Sequence, residues 1–130
     1  MDIEQAVAQA LERAMPGGVF AAAAIKGKHP PFIFYQLHRC EAVETLDGDT
    51  PLLSAVFEVD AVGRGMAEAA AVGRRASQAL RTLRGSQPEG LAIQRARVTQ
   101  ESPDIREREV NLWRRVYALR INYQEVSEHE

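Results

Sequence analysis

The stretch FEVDAVGRGMAEAAAVGRR, residues 57–75, decides the fold because its hydrophobic period changes halfway along. At its start, Ala55, Phe57 and Val59 recur at every second position, which predicts a strand with one core face. From Arg64 to about Leu83 the period is that of a helix. The positions between the core residues of the strand are expected to form a wetter face: Val56, Glu58 and Asp60.

The predicted helix has an apolar side made mostly of small residues, which should let it approach a sheet closely. Gly85 follows it and is a suitable residue for its C-terminal cap. The predicted apolar side consists of Met66, Ala69, Ala70, Gly73, Ala76, Leu80 and Leu83.

The junction Gly63-Arg64-Gly65 raises the question of a phosphate-binding turn. A dinucleotide fingerprint needs a third glycine, and Glu68 stands at that position, where its charge would repel phosphate. No Gly-Lys-Ser/Thr sequence supports a Walker motif either. The junction is therefore predicted to be a strand-to-helix bend.

Composition describes one ordinary domain. The chain has 130 residues, of which 45% are hydrophobic and 26% charged, so residues 1–126 are expected to form one domain with a frayed tail at 127–130. A formal net charge of -2 disfavours nucleic acid and anionic membranes as general partners. With Cys40 alone, no internal disulfide can form. No apolar run approaches a membrane span, and the acidic N-terminus does not resemble a signal peptide, so a cytoplasmic location is expected.

The remaining pattern predicts further elements around this core. Asp2 is a candidate N-cap for a helix over Ile3–Met15. Extended segments are predicted at 19–25 (short and weakly patterned), from Phe32 onward, at 50–62, at 90–102 and at 111–126. The fold class is thus α+β: an antiparallel sheet of about four strands, with or without a short extra one. Two helices pack on one face, in the order α-(β)-β-β-α-β-β.

The residues that could carry chemistry do not assemble into a known site. His38 and Cys40 are two apart on a strand and are expected on the same face, but zinc needs two further ligands. The other histidines are His29, before two prolines, and His129, in the tail. We therefore predict no catalytic residue, no cofactor-binding residue and no metal ligand.

Charged residues suggest subunit contacts instead. The loop over 103–110 alternates arginine and glutamate, and such charges can pair with a second copy of the chain. A solvated loop explains that pattern equally well. Arginines on the outer sheet face, with Arg95 or Arg97, would also suit an interface. The candidate interface residues are Asp47, Asp49, Arg106, Glu107, Arg108, Glu109, Arg114 and Arg120.

Nucleic-acid binding is the alternative for the last strand, where LWRRVYALRINY interleaves aromatic and basic residues. Trp113 and Tyr117 share one parity, whereas most arginines have the other. That separation is typical of an ordinary half-buried strand with its aromatics in the core.

The order of elements resembles the tail-completion (tail terminator, head–tail joining) proteins of tailed bacteriophages and prophages. The resemblance is carried by PPFIFYQL (30–37), LLSAVFEVDAVGRGMAEAAAVGRRASQALRTL (52–83) and LWRRVYALRINYQ (112–124). It spans almost the whole chain, although no single motif is diagnostic.

The resemblance implies a non-enzymatic α+β protein that forms a ring, typically a hexamer, and that can be monomeric before it meets a tail. Such a ring caps the tail tube and joins it to the head connector protein. The implied partners are further copies of the chain, the tail tube protein and the connector. The implied locations are the bacterial cytoplasm during assembly and then the virion tail. The alternative is a small ligand- or RNA-binding module.

Overall fold

The computed structural model describes residues 1–45, 48–101, 105–107 and 112–126, which contain two α-helices, one short 3-10 helix (Ala22–Ala24) and six strands. At positions 45, 48–51, 105 and 107 the backbone alone is described. The helices are α1 (Ile3–Ala14) and α2 (Met66–Arg81). The strands are β1 (Val19–Ala21), β2 (Phe32–Thr45), β3 (Gly48–Gly63), β4 (Leu91–Gln100), β5 (Ile105–Glu107) and β6 (Leu112–Glu125).

Helix α1 begins at a capping box, which confirms Asp2 as the N-cap. The Asp2 carboxylate accepts a hydrogen bond from the backbone N–H of Gln5 (2.7 Å), and the Gln5 side chain accepts one from the backbone N–H of Asp2 (2.9 Å). This exchange satisfies N–H groups that a helix end leaves unpaired. One side of the helix is buried, including Val7 and Leu11.

The strands form one mixed sheet in the order β1-β2-β3-β6-β4, and β5 pairs with the start of β6. Four long strands pair antiparallel, as expected, and the short extra strand is present. Two features differ from the prediction: β1 runs parallel to β2, and a short strand, β5, lies within the predicted loop over 103–110. The chain crosses from β1 back to the start of β2 through residues 22–31, and such a crossover sets strands parallel.

Both helices cover the same face of the sheet, as predicted. The core of this face contains Phe57, Val59, Leu119 and Ile121, all with no exposed surface. Each fully buried side chain of this size contributes about 1.5–3 kcal/mol to stability. We call this side the helix face, and the opposite side the open face.

Helix α2 lies close to the sheet because its inner side is small. A Cβ added at Gly73 would lie 2.7 Å from the Tyr117 hydroxyl oxygen, and one added at Gly63 would lie 2.5 Å from the Ala69 backbone nitrogen. Met66 was predicted on the inner side and is instead 53% exposed. The helix begins at this residue, and its first buried residue is Ala69, one turn later. Gly85 was predicted as the C-terminal cap, but α2 ends at Arg81 with Thr82 as its cap, and Gly85 (φ +76°) lies in the turn after it.

Neither helix in the described ranges has the length and apolar character that a membrane span requires.

Substituting Gly73→Val should lower the free energy of unfolding by about 1–3 kcal/mol, because the new side chain must displace Tyr117 from the core. Denaturant titration measures the loss. Gln78→Val puts the same side chain on the exposed side of the helix and should change stability by no more than about 0.5 kcal/mol. Equal losses in the two variants would show that the approach of α2 to the sheet is not tightly packed.

Candidate functional site

A buried carboxyl group bonded to an arginine lies on the open face, where the sequence predicted only wet positions. Asp60 has no exposed surface, and Arg114 Nη1 donates a hydrogen bond to its Oδ2 at 2.9 Å. The Asp60 carboxyl group lies between Phe34 and Val116, the residues opposite it on the two neighbouring strands. Arg114, a predicted interface residue, is thus tied into its own sheet, and a contact with another subunit stays a prediction.

Burial is the main reason why the pKa of Asp60 is raised, to about 8. Glu58 raises this pKa further through a hydrogen bond and its charge, whereas Arg114 lowers it. Beyond Glu58, His38 Nε2 lies 3.6 Å from Glu58 Oε1. The four side chains form a row of polar groups across the sheet, with Asp60 as its buried member.

A small apolar cluster adjoins this row at one end of the open face. Phe32, Phe34 and Val62 form its buried part, and the rings of Phe20 and Phe32 meet edge to face with centroids 6.1 Å apart. The cluster and Arg114 line a hollow of about 180 Å³. The cluster explains how a carboxyl group on an otherwise open sheet face becomes fully buried.

The turn between β3 and α2 is the predicted strand-to-helix bend. Glu68 accepts hydrogen bonds from the Arg64 backbone N–H at 2.9 Å and from Arg64 Nη2 at 3.0 Å. These bonds lower the pKa of Glu68. The carboxylate therefore lies at the N-terminus of α2, where a bound phosphate would have to lie.

His38 and Cys40 do not share a face, contrary to the sequence prediction. His38 lies near Glu58 on the open face, with the same parity as Phe34 and Gln36. The pairing of β2 with β3 shifts between Leu37 and Arg39, and this bulge moves Cys40 to the other face. Cys40 lies on the other face, with its Sγ 3.2 Å from the Tyr123 hydroxyl oxygen. No group of three or more potential metal ligands occurs within the described residues.

The structure describes the side chains of three of the predicted interface residues, Arg106, Arg114 and Arg120. Asp47, Arg108 and Glu109 lie outside the described residues. Asp49 belongs to β3 and Glu107 to β5. Arg106, on β5, and Arg120, on β6, are both exposed. All of these contacts remain predictions.

Four arginines line a groove along the outer edge of β4, and the sequence prediction found only half of it. Arg81 is the last residue of α2, Arg84 lies in the turn after it, and Arg95 and Arg97 belong to β4. With Ala96 and Val98 they line about 510 Å³, which we call the arginine groove. None of the four arginines pairs with a carboxylate that the structure describes. The signal in the sequence is a segment, 72–100, with six arginines and one glutamate.

Each outer edge of the sheet is hydrogen-bonded to other backbone at one end. On β4, the Gly85 N–H donates to the Ile93 carbonyl oxygen and the Ile93 N–H donates to that of Ser86, and beyond Ile93 no described strand pairs with this edge. On the opposite edge, β1 pairs with residues 33–35 of β2. Residues 40–45 of β2 lie beyond this pairing with β1, and we call them the acidic edge because they contain Glu41 and Glu44 and no basic residue.

Asp60 should make stability fall as pH rises. Since its pKa in the folded state, about 8, lies above the ordinary value of 3.8, the folded protein keeps a proton between these values that the unfolded chain has lost. The free energy of unfolding should therefore decrease with pH across this window, by up to about 1.4 kcal/mol per pH unit. Asp60→Asn should flatten the decrease, as measured by denaturant titration at several pH values.

The control for this experiment is Glu89→Gln, which removes one exposed carboxyl group by the same change. A slope in Asp60→Asn as steep as in the unchanged protein would show that Asp60 is already ionised in the folded state.

Comparison with known proteins supports the fold. No family model matches the sequence, and no curated protein matches it. Among solved structures, the chain is similar to one described as "Virion of native gene transfer agent (GTA) particle". The similarity covers 94% of each chain at 16% sequence identity, with a TM-score of 0.59. At this identity, what the two chains share is the fold.

Proposed function

We propose that this chain is a non-enzymatic structural component of a phage-like virion, the tail-completion protein that caps the tail tube and joins it to the head connector. The observation that carries the proposal is the similarity over 94% of both chains to a chain of a gene transfer agent virion. The order of elements in the sequence points to the same class independently.

The surface of the protein suits such a role. Its two sheet edges are open over part of their length and carry opposite charge, one with Arg95 and Arg97 and the other with Glu41 and Glu44. Two different complementary patches on one subunit make a heterologous contact, which closes into a ring when repeated by rotation. This asymmetry supports a ring of identical subunits on the tail.

The polar groups near the middle of the fold have structural partners. Asp60 is bonded to Arg114, and the Glu68 carboxylate is bonded to Arg64. These contacts stabilise the sheet face and the start of α2. We therefore place the function in docking surfaces and assign no reaction to the chain.

The alternative, a small ligand- or RNA-binding module, has the arginine groove in its favour. Single-stranded RNA is usually held by aromatic side chains that stack on bases. Tyr117 and Tyr123 are buried on the helix face, and the phenylalanines of the open face belong to the apolar cluster near β1. The described lining of the arginine groove contains no aromatic side chain, which fits a protein partner better than RNA.

Removing the gene from a strain that produces the particles should yield tails of abnormal length that fail to join heads, since an uncapped tube has no stop signal. Negative-stain electron microscopy of purified particles measures tail length and head attachment. Supplying the unchanged gene in trans should restore both. In complemented particles, an antibody against this chain should label the junction of head and tail.

Normal, head-bearing tails in the absence of the gene would contradict the proposal. Labelling confined to another part of the particle would support a virion component but contradict tail completion.

A further inference from the structure

The arginine groove needs a negatively charged partner. Four exposed arginines converge on about 510 Å³ and have no carboxylate partner within the described residues. Like charges held together raise the local potential and attract an anion or an acidic surface. Arginine presents a planar set of donors that matches carboxylates in two-point contacts.

The shape of the groove selects an extended partner. Ala96 and Val98 lie on the helix face, because they pair with Ile121 and Leu119. Arg81 and Arg84 lie on the same side of the groove. Arg95 and Arg97 have the opposite parity, because they pair with Asn122 and Arg120. The open backbone edge of β4 therefore runs between two pairs of arginines. A strand added there could bond to the backbone and present carboxylates to both sides.

The chain itself contains a strand edge of this kind. Residues 40–63 hold six carboxylates and no basic residue, whereas 72–100 hold six arginines and one glutamate. Glu41 and Glu44 are three positions apart on β2, and the extra residues of the irregular pairing between Ala42 and Glu44 lie on β3. Because three is odd and side chains alternate along a strand, the two glutamates lie on opposite faces of β2. The acidic edge thus presents one carboxylate to each side, as the groove requires.

We infer that the arginine groove receives the acidic edge of a second copy of this chain. Glu41 already lies near Arg39 Nε, at 3.9 Å, but both side chains are more than 60% exposed, so this pair contributes little and can be shared. The two edges lie at opposite ends of the strand order, so each copy offers a groove to one neighbour and an edge to the other. This inference rests on the proposed role as a ring-forming protein and names the contact.

The test exchanges charges. Arg81→Glu with Arg97→Glu reverses the groove, and Glu41→Arg with Glu44→Arg reverses the edge. We expect each pair of changes to weaken self-association by about tenfold or more, because two attractive pairs become repulsive. Sedimentation equilibrium at low and high salt measures association, and that of the unchanged protein should weaken with salt.

Restoration identifies the partner. An equimolar mixture of the two reversed proteins, and a chain that carries all four changes, should each regain association, because every groove again meets an edge of opposite charge. The control is Arg13→Glu with Arg75→Glu, which makes the same charge change in a hollow between the two helices and should leave association within about twofold.

Three outcomes would overturn the inference: an unchanged protein that stays monomeric at low salt, an edge reversal without effect, or no recovery in the mixture. A short RNA or DNA duplex that binds the unchanged protein, and loses binding on groove reversal alone, would make the groove a polyanion site instead. The tail-completion role is judged separately by the particles. Normal particles from the groove-reversed gene would reject this contact and leave that role intact.

Discussion

The structure depends on how closely α2 can lie against the sheet. Gly63 and Gly73 mark two points where a single added carbon would strike the opposite element, in one case the backbone itself. This proximity keeps the helix over the centre of the sheet, where it covers Val59 and Leu119. Both helices therefore cover the same face of the sheet. The other face and the two outer strand edges are left for charged groups and for partners.

The elements that the sequence predicted are those whose signals are local. The change of period near residue 63, the cap at Asp2 and the small inner side of α2 each depend on neighbours along the chain, and the structure bears them out. The parallel pairing of β1 was missed because alanine-rich residues carry little information about strand partners.

Features that depend on distant residues could not be read from the chain. Asp60 is buried because an apolar cluster from β1, β2 and the start of β6 closes over its end of the sheet, whereas its own alternation indicated a wet position. One bulge at Leu37 separates His38 from Cys40, and a bulge leaves no signature in such a strand. The arginine groove joins two segments that are close only after β4 has paired with β6. The density of arginine in 72–100 was visible, but its convergence was not.

The pairing register of the sheet has a consequence for how neighbouring copies can be arranged. Paired residues form rows that cross the sheet from β2 to β4. One row consists of Glu41, Ser54, Asn122 and Arg95, and another consists of Arg39, Val56, Arg120 and Arg97. If β4 of one copy paired with β2 of the next so that each row continued without a shift, Arg97 would lie opposite Arg39 of the next copy, which places two like charges together. A slip of two residues, about 7 Å, replaces this clash with Glu41 against Arg97. A closed ring can have such a shift at every subunit contact only if its strands are inclined to the symmetry axis, as they are in a closed β-barrel. In the proposed ring, the position of Arg39 on β2 would thus set how far the strands incline to the symmetry axis.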